Sequence, residues 1–258
     1  MVSKESVPLL EIDEAKRRID NLPAEIPVTG DKGIKLCDVK NGKATLDEFV
    51  AQLSDVELAS IIRGEGMGSP RVTAGTASAF GGITDELAEM GIPAGCCSDG
   101  PSGMRLDCGT KAFSLPNGTM IASTFNKELI TELFVLMGLE MRANKVDCLL
   151  GPGMNIHRHP LNGRNFEYFS EDPLVAGRCA SAIVCGIQNC GVGATIKHFA
   201  ANNREKMRKN CTSNISERAL RESYLRGFEI TGKSSPPWCI MTSYKYINGI
   251  KARCFPEL

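Results

Sequence analysis

The sequence predicts an α/β fold on a parallel sheet, of the partial (β/α)8, TIM-barrel-like kind, and three observations lead there. Short apolar runs alternate with longer stretches of helical period. Those stretches are long enough to serve as crossovers between parallel strands, which need a dozen or more residues and run right-handed. The residues of unusual chemistry fall just after the apolar runs. The first two observations leave a doubly wound sheet and an eight-stranded barrel both open. The third favours the barrel, whose sites are assembled from several strand ends. Only about five βα units can be counted, so a closed eight-stranded barrel is not visible in the chain.

Residues 1–44, with NLPAEIPVTGDKGIKLCDVKNGKA, are rich in Pro, Gly and Lys without a sustained period and read as a linker or irregular lead-in. The barrel-type domain is expected over 45–258. Ser54 and Glu57 form a capping-box pattern at the head of a helix that stops at Gly64. The stretch 124–145 places Leu129, Leu133, Leu136 and Met137 at helical spacing, and VDCLLGPG (146–153) is the buried strand that follows. The next pair is a helix over 174–191, stopped by Gly191, and a strand over 192–200. A third helix spans 215–233, with Ser216 as N-cap and Leu220, Tyr224 and Phe228 one above another, before the strand WCIMTSY (238–244). Asn248-Gly249 is a turn.

Composition excludes several classes of function. Thirty basic residues balance thirty acidic ones with no long run of either sign, so the footprint of a nucleic-acid binder is missing and a neutral ligand fits better. The N-terminus carries acidic residues where a secretory leader needs an apolar stretch, and no segment approaches the length of a membrane span. The expected setting is therefore the cytoplasm. Eleven cysteines without a C-x-x-C pair suggest free, buried thiols rather than a disulfide framework or a zinc site. The sequons at Asn117, Asn210 and Asn214 would matter only in a secreted protein. The Gly-rich GEGMGS (64–69) follows a helix instead of joining strand to helix, which rules out a dinucleotide fingerprint. No metal is expected, because His157, His159 and His198 lack a two-His helical spacing with a carboxylate partner. No cofactor is expected either.

Four segments can carry chemistry. In SDGPSGMRLD, Asp99 sits on a Gly/Pro turn with Arg105 six residues on, a carboxylate suited to sugar hydroxyls, although an ordinary polar turn reads the same way. The seventeen-residue loop 157–173 follows a buried strand, and loops of that length are usually functional or disordered. Phe166, Tyr168 and Phe169 are expected to anchor it, while Glu171 and Asp172 also suit the N-terminus of the next helix. Lys197 and His198 end an apolar strand, where a buried lysine is expensive unless it meets an acid or a ligand. Tyr244 ends the strand before the Asn248 turn.

In this order and spacing, DGPSGMR, LLGPGMNIHRHPLNGRNFEYFSEDP, KHFAANN and MTSYKYING resemble glycoside hydrolase family 3, from about residue 45 onward. The resemblance implies a β-glucosidase: a retaining hydrolase of terminal non-reducing β-D-glucosyl residues in glucosides or oligosaccharides. It implies that Asp99, Arg105, Arg164, Lys197, His198, Arg208 and Tyr244 bind the hydroxyls of the terminal sugar. The family's nucleophilic Asp lies on the strand after the MTSY strand, which places it beyond Leu258. Its acid/base Glu comes from a second domain. This chain alone is therefore expected to be inactive, with a non-catalytic sugar-binding or partner-completed subunit as the alternative. KHFAANN lacks the Lys-His-Phe-Pro-Gly-His-Gly loop of related N-acetylglucosaminidases. Lys245 departs from the pattern, standing where an Asn is expected. LPAEIPVTGDKGIKL resembles the connector of members whose second domain comes first.

Overall fold

In the computed structural model, which describes residues 13–255, the helices headed by Ser54 and Ser216 start where the sequence places their caps. Residues 1–12 of the expected lead-in and the last three residues lie outside the described range. The chain forms two units, the first comprising residues 13–97 and 106–110, the second 98–105 and 111–255.

The first unit carries helices α1 (Glu14–Asp20), α2 (Leu36–Lys40), α3 (Leu46–Ala51), α4 (Asp55–Arg63) and α5 (Asp85–Glu89). Strand β1 (Ser78–Gly81) belongs to it with the start of β2 (Ala94–Asp99). Residues 22–35 carry no regular element, and buried Gln52 holds their end by accepting from the Lys32 and Ile34 amides and donating to the Ile34 carbonyl. Two capping boxes fix the heads of α3 and α4: Thr45 with Glu48, and Ser54 with Glu57, where each carboxylate reaches back to the cap amide at 2.7 Å. Gly64 ends α4 with φ of 61°. β1 was not legible in the sequence, and it pairs antiparallel with β2, from Ser78 opposite Cys97 to Gly81 opposite Ala94. The connection between them carries only the single short turn of α5.

The second unit is a run of strand and helix. In chain order it holds α6 (Gly118–Ala122), α7 (Lys127–Ala143), β3 (Cys148–Leu150), α8 (Pro173–Gln188), β4 (Gly193–Phe199), β5 (Thr212–Ser213), α9 (Glu217–Ala219), α10 (Arg226–Ser234), β6 (Cys239–Thr242), β7 (Tyr246–Ile247) and β8 (Ile250–Lys251). β3, β4 and β6 are parallel, with Leu149 opposite Ala194 and Ile196 opposite Ile240. α8 packs on α7, α10 and β4. This is the α/β architecture of the partial (β/α)8 kind that the sequence predicts.

Details differ from the reading by sequence. α7 buries Ile130, Phe134, Met137 and Met141, while Leu129 and Leu136 are exposed: two apolar stripes overlap, and packing on α8 selects one. The third helix is interrupted by a π-helical turn at Leu220–Tyr224, although Ser216 caps it as expected. β6 ends the ladder, and Ile240 is exposed on it. β7 and β8 form a tight hairpin on Asn248 and Gly249, both at positive φ. Five of the eleven free cysteines are buried, two half-buried and four exposed, so burial accounts for fewer of them than expected.

Candidate functional site

Lys197 is the centre of the site. Its backbone continues the ladder, accepting from the Met154 amide at 2.8 Å and donating to the Pro152 carbonyl at 3.0 Å. The register with β6 then shifts between Lys197 and Phe199, a bulge of the sort that re-aims side chains at a strand end. Lys197 is 2% exposed, and burying its charge requires compensation. It donates to Asp99 Oδ1 at 2.8 Å and lies 3.7 Å from Glu167 Oε2.

Asp99 is presented by a turn closed by local hydrogen bonds and a glycine. The Arg105 amide donates to the Asp99 carbonyl at 2.8 Å, and Ser98 Oγ donates to the Arg105 carbonyl at 2.9 Å. Gly100 has φ of 116°, and a Cβ there would stand 1.9 Å from the Gly103 carbonyl. The Asp99 side chain keeps 40% of its surface exposed. Burial alone would raise its pKa, but the Lys197 charge and hydrogen bond outweigh that and hold it below the usual carboxylate value. Asp99 is thus an ionised acceptor facing solvent on one side and pinned on the other.

Glu167, on a single 3-10 turn of the long loop (Asn165–Glu167), is the carboxylate that the sequence reading passed over. It is 2% exposed and pairs through Oε1 with Arg164 Nε, while Oε2 faces Lys197. A Cβ on Gly153 would come within 2.9 Å of that Oε2, so the strand-end backbone also closes over the carboxylate. Burial would lower the Arg164 pKa, yet Glu167 raises it on balance and keeps the guanidinium charged. The signal that could have found Glu167 is its spacing three residues from Arg164.

His198 is held at its backbone by Asn155 and at its ring by Tyr168. Its amide donates to Asn155 Oδ1 and its carbonyl accepts from Asn155 Nδ2, both at 2.9 Å. Nδ1 lies 3.4 Å from the Tyr168 hydroxyl. Burial, reinforced by Arg164, Lys197 and Arg208, pushes the imidazole pKa down to about 2, so the ring is neutral. Tyr168 is fully buried and receives a bond from Asn202 Nδ2 at 3.0 Å; Asn202 in turn reaches Glu205 at 3.2 Å, and Glu205 pairs with Arg208 at 3.5 Å. Arg208 stacks over the Tyr244 ring at 5.4 Å, and Lys209 lies 6.0 Å from the same ring.

Side-chain contacts gather the candidates in two groups: Asp99 with Lys197, and Lys197 with Arg164 through Glu167; and His198 with Arg208 through Tyr168, Asn202 and Glu205, with Tyr244 under Arg208. Arg105 contributes its backbone to the Asp99 turn, and its side chain is exposed. Of the expected loop anchors, Tyr168 and Phe169 are buried, whereas Phe166 is 56% exposed because the 3-10 turn carries it to the surface. Asp172 caps α8, accepting from the Leu174 amide at 2.6 Å. Among the described residues no cluster of His, Cys, Asp or Glu has the arrangement of a metal site, and no helix is long and apolar enough to cross a membrane.

Over residues 28–257 the chain matches the sequence profile of the glycosyl hydrolase family 3 N-terminal domain. It is 66% identical over 249 residues to a β-glucosidase of Ruminococcus albus, which covers 96% of this chain and 26% of that protein. It superposes on a β-glucosidase from Paenibacillus barengoltzii with a TM-score of 0.91 and 57% identity, across 96% of this chain and 27% of that one. With β-glucosidase 3B from Thermotoga neapolitana, solved in complex with α-D-glucose, the TM-score is 0.72 and the identity 42%, across 81% and 30%. The chain spans about a quarter of the length of the curated relatives it matches.

Proposed function

We propose, from the premise that the chain belongs to glycosyl hydrolase family 3, that its strand-end cluster binds the terminal non-reducing β-D-glucosyl residue of a β-glucoside. That membership rests on the match over residues 28–257. The observation that carries the binding assignment is the pinned, half-exposed Asp99 beside buried Lys197. Polyol recognition needs a strong acceptor with oriented donors. Asp99 supplies the acceptor, Lys197 and Arg164 the fixed charges, and neutral His198 a ring able to donate or accept. Tyr244, with Arg208 and Lys209 on its face, offers an exposed aromatic wall. Arg105 is assigned to the same sugar through its position beside Asp99.

The reaction we assign to the assembled enzyme is retaining hydrolysis. One carboxylate attacks the anomeric carbon, a carboxylic acid protonates the leaving oxygen, and the two stand about 5 Å apart. Glu167, buried between Arg164 and Lys197, takes neither role, and Asp99, kept ionised by Lys197, is no proton donor and is assigned to the sugar hydroxyls. We therefore assign the described cluster to sugar binding and the reacting carboxylates to other parts of the assembled enzyme. Binding energy gathered here then positions the anomeric carbon. The eleven free thiols fit a reducing compartment, and we place the protein in the cytoplasm.

Thermal unfolding of the purified chain in rising glucose tests the assignment. Native-state binding must raise Tm by mass action, and Asp99→Ala should remove the rise. A Tm indifferent to saturating glucose would sink the binding assignment. Turnover of nitrophenyl β-D-glucopyranoside by the same chain would overturn the division of labour while leaving the family intact.

A further inference from the structure

Lys245, the departure from the family pattern, has no part in the sugar site. It is fully buried, and its Nζ donates to the Arg204 carbonyl and to Cys211 Sγ, the latter at 3.0 Å. Among the described residues no carboxylate stands within ion-pair range of it, in contrast to every requirement met at Lys197. A buried amine is thus held against a thiol by backbone fixed on both sides. The Tyr246 amide donates to the Cys211 carbonyl at 3.2 Å, and Thr212 pairs with Tyr246 in the β5–β7 ladder. Cys211 itself is half-buried, with part of its surface open to solvent. It follows REKMRKN, with Arg204, Lys206, Arg208 and Lys209 in seven residues, the electropositive and partly exposed setting in which thiols react.

We propose that Cys211 and Lys245 are an oxidative modification site: a peroxide converts the pair into a covalent sulfur–nitrogen bridge. Hydrogen peroxide first oxidises the Cys211 sulfur by two electrons, its O–O bond breaking to give the sulfenic acid and one water. The Lys245 amine, in its neutral form, then attacks that sulfur. The S–O bond breaks, a second water leaves with one amine proton, and the S–N bond forms, as backbone nitrogens do with sulfenic acids. The sum is thiol, amine and peroxide giving the bridge and two waters. Two equivalents of an external thiol reverse it, returning thiol and amine and leaving a disulfide of the reductant. The bridge fastens the 204–211 segment, which carries Arg208, to the residue beside Tyr244. The inference rests on the Lys245–Cys211 geometry alone and stands apart from the sugar assignment.

The test is peptide mass spectrometry of the full chain after hydrogen peroxide treatment. The expected result is a joined pair of peptides containing Cys211 and Lys245, lighter by about 2 Da than their sum, which dithiothreitol separates. Cys211→Ser and Lys245→Met should each abolish the joined pair while the other cysteines oxidise as before. Recovery of Cys211 only as sulfinic acid or as a disulfide in the unsubstituted chain would overturn the proposal. So would a joined pair heavier by one oxygen atom, since nitrogen would then not be bonded to sulfur. Because the first readout uses the unsubstituted chain, misfolding of a variant does not blunt it.

Discussion

Lys197 lies near the end of β4 and Lys245 just before β7, three residues past the neighbouring β6; both are withdrawn from water, and their surroundings are opposite. Lys197 meets two carboxylates, Asp99 and Glu167, the second shared with Arg164. Lys245 meets a carbonyl and a thiol. A buried charge in a network is costly to uncover once one partner is removed, whereas an amine packed without an acid has no counter-charge to strand. The first environment therefore behaves as a rigid electrostatic unit, and the second as packing with a reactive contact inside it.

The largest expected effect falls on the first environment. Lys197→Met leaves Glu167, 2% exposed, with only Arg164, and should cost about 3–5 kcal/mol in denaturant unfolding, the range for breaking a buried pair. Glu167→Gln should cost a similar amount. The double variant should cost less than the sum, because the two side chains share one interaction. Strict additivity of the two losses would break the claim that they form one unit.

The neighbouring imidazole gives the next effect, read by pH. Its folded-state pKa is about 2, against about 6.5 in the unfolded chain. Above pH 6.5 neither state binds the proton and His198 imposes no penalty. As pH falls below 6.5 the unfolded state takes up a proton that the native ring refuses, so stability declines by up to about 1.4 kcal/mol per pH unit. Asp99, whose folded pKa is depressed, adds its own loss only at lower pH, as it protonates. Unfolding curves at pH 7, 6 and 5 should therefore converge in His198→Asn relative to the unsubstituted chain; an unchanged slope would remove the buried neutral ring from the account. A smaller local loss, about 1 kcal/mol, is expected for Asp172→Ala, which strips the cap of α8 without touching either lysine.

The contrast also shows what a sequence reader can see. Lys197 was legible because it ends an apolar strand next to a histidine, where burial demands an acid, and Asp99 stood on a turn after another strand. The caps at Ser54 and Ser216 were legible because their chemistry is local. Glu167 was passed over because it sits in a loop with several charged residues, and its burial is set by a strand end fourteen residues earlier, at Gly153. The exposed Leu129 and Leu136 show the same limit: helical period fixes that a face exists, and only packing on α8 decides which. Lys245 could be seen as a departure but not explained, since its partner Cys211 lies 34 residues away and is no acid.

The smallest expected effect is the one that separates the two lysines most sharply. Lys245→Met keeps a long unbranched side chain and removes an amine that no described carboxylate compensates. The Arg204 carbonyl loses its donor, a loss of about 1 kcal/mol or more, but the desolvated amine is removed with it. The two terms oppose each other, and the net change in denaturant unfolding should stay within about 1 kcal/mol of zero. Under reducing conditions the glucose-dependent rise in Tm should also persist, because Lys245 does not touch the Asp99–Lys197–Glu167 cluster. A loss as large as that of Lys197→Met would mean that Lys245 is charge-paired after all, and the two environments would then be alike.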